Sequence, residues 1–124
     1  MRRYKVPVTT AADGSATAYT PRIAGKLHSI QYVKDGSNGF ADGVDFTITA
    51  EVTGESVLAK SDVNASAVFY PRAPTHSQVG AANLYASGGT AVSDKIGLAS
   101  DRIKIVVASG GNAKVGVFHV LVDE

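Results

Sequence analysis

Three features of this sequence predict an all-β fold, a single-domain antiparallel β-sandwich or jelly roll of about eight short strands with at most one short helix. The first is "VDFTITAEV", where Val44, Phe46, Ile48, Ala50 and Val52 alternate with Asp45, Thr47, Thr49 and Glu51. Period two with one apolar face marks a half-buried strand. The second is the pair of β-branched runs "DRIKIVVAS" and "AKVGVFHVLV" joined by "GGN". The third is the recurrence of Gly, Asn, Asp and Pro clusters about every eight to twelve residues, the turn spacing of a sandwich. At 124 residues the chain fits one domain, and folding at this size buries roughly two thirds of the unfolded surface.

Taken in order, the first strand is expected over Arg2 to Thr9, at a sheet edge because Pro7 has no N–H to donate to a ladder. Further strands are expected at Ala16 to Thr20 and Lys26 to Lys34, then through the turn "DGSNGFADG" into Val44 to Val52. After Thr53-Gly54-Glu55 come Ser56 to Lys60 and Ala65 to Tyr70. In the latter, Ala65, Ala67 and Phe69 share one face and Ser66, Val68 and Tyr70 the other. Pro71 ends that ladder and biases Tyr70 towards an extended conformation. "SQVGAANLYA", Ser77 to Ala86, is the one segment suited to a helix, of one or two turns before Gly88-Gly89. Ala91 to Leu98 follows, and the last two runs are expected to form a closing hairpin that turns at Gly110-Gly111-Asn112. In that hairpin Ile103, Ile105 and Val107 face opposite to Arg102 and Lys104.

Composition narrows the function classes. There is no cysteine, which removes disulfides, thiolate zinc sites and cysteine nucleophiles together. The start "MRRYKVPVTTAADG" lacks the apolar run of a secretory signal, and no segment approaches the ~20 apolar residues of a membrane span. The expectation is a protein made in a cytoplasm, without a membrane, in which the sequon Asn64-Ala65-Ser66 carries no glycan. Charged residues make up 19%, below the usual ~25%. That density suits a surface partly covered by a partner, or one rich in small Ser, Thr and Gly. Residues 1–34 carry six basic side chains against Asp13, and residues 35–62 six acidic ones against Lys60. The two blocks either sit together within one fold or complement a neighbouring copy.

No catalytic motif is present, and the sequence predicts neither an enzyme nor a cofactor. Asp35, Asn38, Asp42 and Asp45 offer oxygen ligands suited to calcium, but without EF-hand spacing or its terminal glutamate they read better as hairpin-turn residues. His28, His76 and His119 lie in no two-histidine metal motif. Glu51 with Asp45 reads as an exposed strand face more simply than as a glycosidase pair. For nucleic acid the sole basic stretch with an aromatic is "MRRYK", beside an acidic block, so no nucleic-acid partner is expected. A short basic arm, Arg2, Arg3 and Tyr4, suits docking on an acidic protein surface. Tyr70, Arg72 and His76, on a loop stiffened by Pro71 and Pro74, are the second candidate contact. Tyr and Arg are favoured interface anchors, and a loop already extended loses less entropy on binding.

These residues also carry a likeness. The run from Thr53 to Val122, through "DVNASAVFYPR", "LYASGGTAVSDKI", "DRIKIVV" and "GGNAKVGVFHV", resembles small structural proteins encoded among the virion genes of tailed bacteriophages and related prophages. The resemblance implies a virion component without enzymatic activity, a capsid decoration or cement protein on the capsid surface. Such a protein binds the major capsid protein and copies of itself, as a dimer or trimer. A head-completion, head–tail or tail protein would share the same features. A carbohydrate- or receptor-binding module is disfavoured by the absence of tryptophan and by five scattered tyrosines.

Overall fold

Alternation decides which side of each strand enters a core, and here it produces two facing layers. The computed structural model, which describes residues 1–124, has eleven strands and no helix. They are β1 (Arg2–Thr9), β2 (Ala16–Tyr19), β3 (Ile23–Lys34), β4 (Asp45–Ala50), β5 (Ser56–Lys60), β6 (Ala67–Phe69), β7 (Ala73–Pro74), β8 (Ser93–Asp94), β9 (Ile96–Asp101), β10 (Ile103–Ala108) and β11 (Val115–Asp123). One antiparallel sheet runs β1-β11-β3, and the long β3 then pairs along its far side with β9 and β6, placed end to end. The facing sheet runs β2-β10-β4-β5. β7 and β8 pair only with each other.

Between the sheets lies one cluster of 21 buried apolar residues. Tyr32 of β3 and Phe118 of β11 meet Phe46 of β4 edge to face, at 4.8 and 4.9 Å between ring centroids. Phe40 stacks on Tyr32 from the loop before β4, at 5.7 Å. Such pairs add about 0.5–1.5 kcal/mol each beyond the area they bury. β1 lies at a sheet edge, where Pro7 is tolerated, as expected. Gly25 in β3 adopts φ +147°, and a Cβ there would fall 2.5 Å from the Asp123 carbonyl oxygen, so only glycine lets β3 approach the end of β11.

Four expectations are corrected. The closing hairpin does not form: β10 pairs with β2 and β4, whereas β11 pairs with β1 and β3 in the other sheet. Both strands have a fully apolar face, Ile103, Ile105 and Val107 on one and Phe118, Val120 and Val122 on the other, all fully buried. Two such faces bury each other best from opposite sheets. Ser109 and Ala113 take positive φ in the crossing segment, and buried Thr10 secures it. Its Oγ1 donates to the Gly111 carbonyl at 2.6 Å and accepts from the Lys114 N–H at 2.8 Å.

The expected strand Ala91 to Leu98 divides into β8 and the start of β9, and β9 runs through Arg102 directly into β10. The chain changes sheets there. Such corners use local bends, and this one has Ser100 at φ +49° and a buried Asp101. The Asp101 carboxylate accepts from the Val52 and Arg102 N–H groups at 2.9 and 2.8 Å. β4 has ended by then, so Val52, expected inward, is 67% exposed in a turn. Finally, Ser77 to Ala86 forms no helix, for a reason that lies in the projection it belongs to.

Candidate interaction surface

The chain leaves the sandwich after β6 and returns at β9, and the residues between them project from the sheet edge. Pro71 and Pro74 keep the outgoing leg extended, and β7 pairs with β8 as a short stem. Beyond the stem three backbone bonds close a ring: Thr75 N–H to Val92 O at 2.8 Å, Val92 N–H to Asn83 O at 2.9 Å, and Asn83 N–H to Thr75 O at 3.0 Å. The Thr75 hydroxyl reinforces it, donating to Val92 O at 2.8 Å and accepting from Asn83 Nδ2 at 3.3 Å. Past this junction the ribbon forks into two hairpins. One turns between Ser77 and Ala81, with Gly80 at φ +86°; the other turns between Tyr85 and Thr90, with Gly88 at φ +70°. Asn83 is thus drawn out to pair on both sides, which a helix through it does not permit.

No residue from Ala73 to Ser93 is buried, and none of these 21 residues is Lys, Arg, Asp or Glu. Instead the ribbon exposes Val79 at 89%, Tyr85 at 75% and Leu84 at 42%. Scattered exposed apolar residues are ordinary, but an uncharged stretch that carries several of them outside the core makes this ribbon the candidate surface for contact.

The root is fastened on both legs. β6 and β9 leave a gap along β3 at His28, and Arg72 Nη1 fills it by donating to the His28 carbonyl at 2.9 Å. On the returning leg Lys95 Nζ meets the Asp123 carboxylate at 2.5 Å, which holds that carboxyl below its usual range. The candidates Tyr70, Arg72 and His76 therefore fall at the root and lower part of this ribbon. Tyr70 is 60% exposed, its ring edge-on to His28 at 6.0 Å, and His76 is exposed in a bridge to Ala82.

Arg2, Arg3 and Tyr4 lie elsewhere and do not form a free arm. They belong to β1, at the edge away from the ribbon. Tyr4 Oη donates to Glu124 Oε1 at 2.7 Å, which raises the phenol's pKa, and the Arg2 guanidinium lies 5.1 Å from the Tyr4 ring centre and 3.9 Å from Glu124. The two candidate groups are not brought together.

The acidic turn residues are used one by one. Asp35 accepts from the Asn38 and Ser37 N–H groups at 2.7 and 3.2 Å, which lowers its pKa. Asp42 pairs with Lys34 at 3.3 Å, and Asp45 accepts from the Asp62 N–H at 3.1 Å. No group of three potential metal-binding side chains is assembled. Glu51 is held by Arg102 at 2.5 Å, and Arg102 also lies 3.9 Å over the Tyr19 ring. His119 faces outward on β11, its Nδ1 buried without a partner, and burial together with Arg3 and Lys5 lowers its pKa.

One groove opens on the outer face of the β1-β11-β3 sheet, with a volume of about 370 Å³. Pro7, Val117 and Val33 lie side by side across it, with Val115 beyond and the Asp35-Gly36 turn as its rim.

No family model matches the chain, and no curated protein matches it. A solved structure described as FLHE is similar over 99% of this chain and 97% of its own, with a TM-score of 0.46 and 8% identity.

Proposed function

We propose that this chain is a non-enzymatic structural protein of a tailed-phage virion, a capsid decoration protein made in the host cytoplasm that binds the major capsid protein and stabilises the shell. The resemblance of Thr53 to Val122 supplies the setting. The observation that carries the binding role is the uncharged, exposed ribbon from Ala73 to Ser93, held by its own hydrogen bonds outside the core. Its 21 residues match the roughly 20–30 residues that one partner contributes to a standard interface. A protein of this kind acts through area: free energy of binding across capsomer boundaries opposes rupture by mass action, multiplied over many symmetric copies.

The test is co-sedimentation of the purified chain with undecorated shells, followed by heating. Bound chain and a higher rupture temperature are expected, with both effects reduced by Leu84→Ser. Shells that neither retain the chain nor change their rupture temperature would overturn the assignment.

A further inference from the structure

The pair Asn38-Gly39 stands in the turn between β3 and β4, and the fold uses both residues. A Cβ at position 39 would fall 2.6 Å from the Asp35 carbonyl oxygen and 2.8 Å from Lys34 Cγ, so no residue but glycine fits there. Asn38 ties the turn to the segment that crosses between the sheets. Its Nδ2 donates to the Ala113 carbonyl at 3.1 Å, its Oδ1 accepts from Lys114 Nζ at 3.3 Å, and its backbone carbonyl accepts from the Val115 N–H at 2.9 Å. Asn38 is nevertheless exposed to water. An asparagine followed by glycine is also the amide most open to attack by its own chain, because no side chain shields the next backbone nitrogen.

We infer that Asn38 is a site of spontaneous modification, converted to aspartate and isoaspartate in the folded protein, with Lys114 as the group that speeds the conversion. The Gly39 nitrogen adds to Asn38 Cγ and gives up its proton to water, while the Cγ–Nδ2 bond breaks and Nδ2 leaves, with a proton gained, as ammonia. The product is a cyclic succinimide. Water then opens the ring, at Cγ to give aspartate or at the backbone carbonyl to give isoaspartate. In the first step negative charge gathers on Oδ1, the atom to which the Lys114 ammonium is already bound. A cation fixed there stabilises that charge as it develops. The bond from Nδ2 to Ala113 keeps Oδ1 turned towards it. The other asparagines lack this set: Asn64, Asn83 and Asn112 precede Ala65, Leu84 and Ala113, whose side chains crowd the attacking nitrogen. Asn64 Oδ1, moreover, accepts from the neutral Gly43 N–H. The two products differ in consequence. Aspartate keeps the backbone and faces Lys114 with the opposite charge. Isoaspartate reroutes the backbone through Cβ beside a Gly39 that has no spare room, and the carbonyl that accepts from Val115 no longer lies in the chain.

The experiment is incubation of the folded full chain in mildly alkaline buffer, followed by peptide mass spectrometry, with circular dichroism as the check on folding. Asn38 should show the mass gain of an amide exchanged for an acid before Asn64, Asn83 or Asn112 does. Lys114→Met should slow that gain about fivefold, the weight of one hydrogen bond, and Lys114→Arg should restore most of the rate. Lys114→Gln, which keeps a neutral donor, replaces Lys114→Met should the latter misfold. A folded chain that keeps the Asn38 amide while the urea-unfolded chain loses it would overturn the inference, since the fold would then protect the site. A Lys114→Met chain that converts as fast as wild type would remove Lys114 from it. The separated isoaspartyl chain should exchange its Val115 amide faster than the unmodified chain; equal exchange would show that the turn absorbs the rerouted backbone and that the stated consequence is wrong.

Discussion

The sandwich and the ribbon are both antiparallel β-structure, but different forces hold them. The sandwich is held by 21 buried apolar residues, whereas the ribbon buries none of its side chains and is held by backbone hydrogen bonds around Thr75, Asn83 and Val92. A hydrogen bond that competes with water contributes only about 0.5–1.5 kcal/mol net, so the ribbon is a unit of low local stability on a stable body. The difference teaches how a small domain keeps apolar side chains available. Hydrogen bonds shape the projection without drawing Leu84 and Tyr85 into a core.

The sharpest way to break this comparison is Phe46→Ala. Phe46 contacts Tyr32, Phe40 and Phe118, and its loss should cost about 3–5 kcal/mol in denaturant unfolding. A cost below about 1 kcal/mol would mean that the aromatic cluster does not hold the two sheets together.

A smaller effect of opposite sign is expected from Tyr32→Phe. The Tyr32 hydroxyl is buried with no partner, and burial pushes its pKa up to about 12. An unsatisfied hydroxyl costs about 1–3 kcal/mol, so the variant should unfold at a higher temperature. A lower one would show that the hydroxyl does find a partner.

Within the ribbon, Thr75→Val removes the hydroxyl that braces the junction, an effect of about 1 kcal/mol confined to the projection. Hydrogen exchange should quicken at Thr75, Asn83 and Val92 and stay unchanged in β3 and β11. Equal quickening in β3 would make ribbon and sandwich one cooperative unit.

Asp101 tests the corner between the sheets by pH. The N–H bond from Val52, then that from Arg102, holds its carboxyl below the ordinary value of 3.8. Its stabilisation is therefore complete above about pH 4 and is lost as pH falls through the folded-state pKa. Asp101→Asn should be less stable than wild type at neutral pH, with the gap narrowing as pH falls below the ordinary value of 3.8. A gap that stayed constant with pH would exclude the depressed carboxyl as its source.

What could be read from the sequence follows the same division. β4 and β10 were legible because burial imposes period two, and Pro7 placed β1 at an edge. The partner of β10 was not, because β10 and β11 look like a hairpin until it is asked what covers their two apolar faces. Of the ribbon's β-structure only β8 fell within an expected strand, Ala91 to Leu98; β7 and the pairing beyond it were illegible because β7 is two residues long and neither of them is buried. Tyr70, Arg72 and His76 pointed to its root through the prolines. Val79, Leu84 and Tyr85 were missed, although the signal was present as a long stretch without charge.

The pairing of β1 has a consequence for how the chain is made. β1 finds its ladder only on β11, with Thr9 opposite Val115 and Arg2 opposite Val122. A ribosome adding about 5–20 residues per second emits β1 roughly 5–25 s before its partner. Through that interval Val6 and Val8, both buried in the finished fold, have no sheet to join. Arg2, Arg3 and Lys5, which alternate with or precede them, keep the waiting segment charged. Charge is what natural edge strands use against pairing with the wrong neighbour. On that principle Arg2, Arg3 and Lys5 disfavour mispairing of β1 while β11 is still to come.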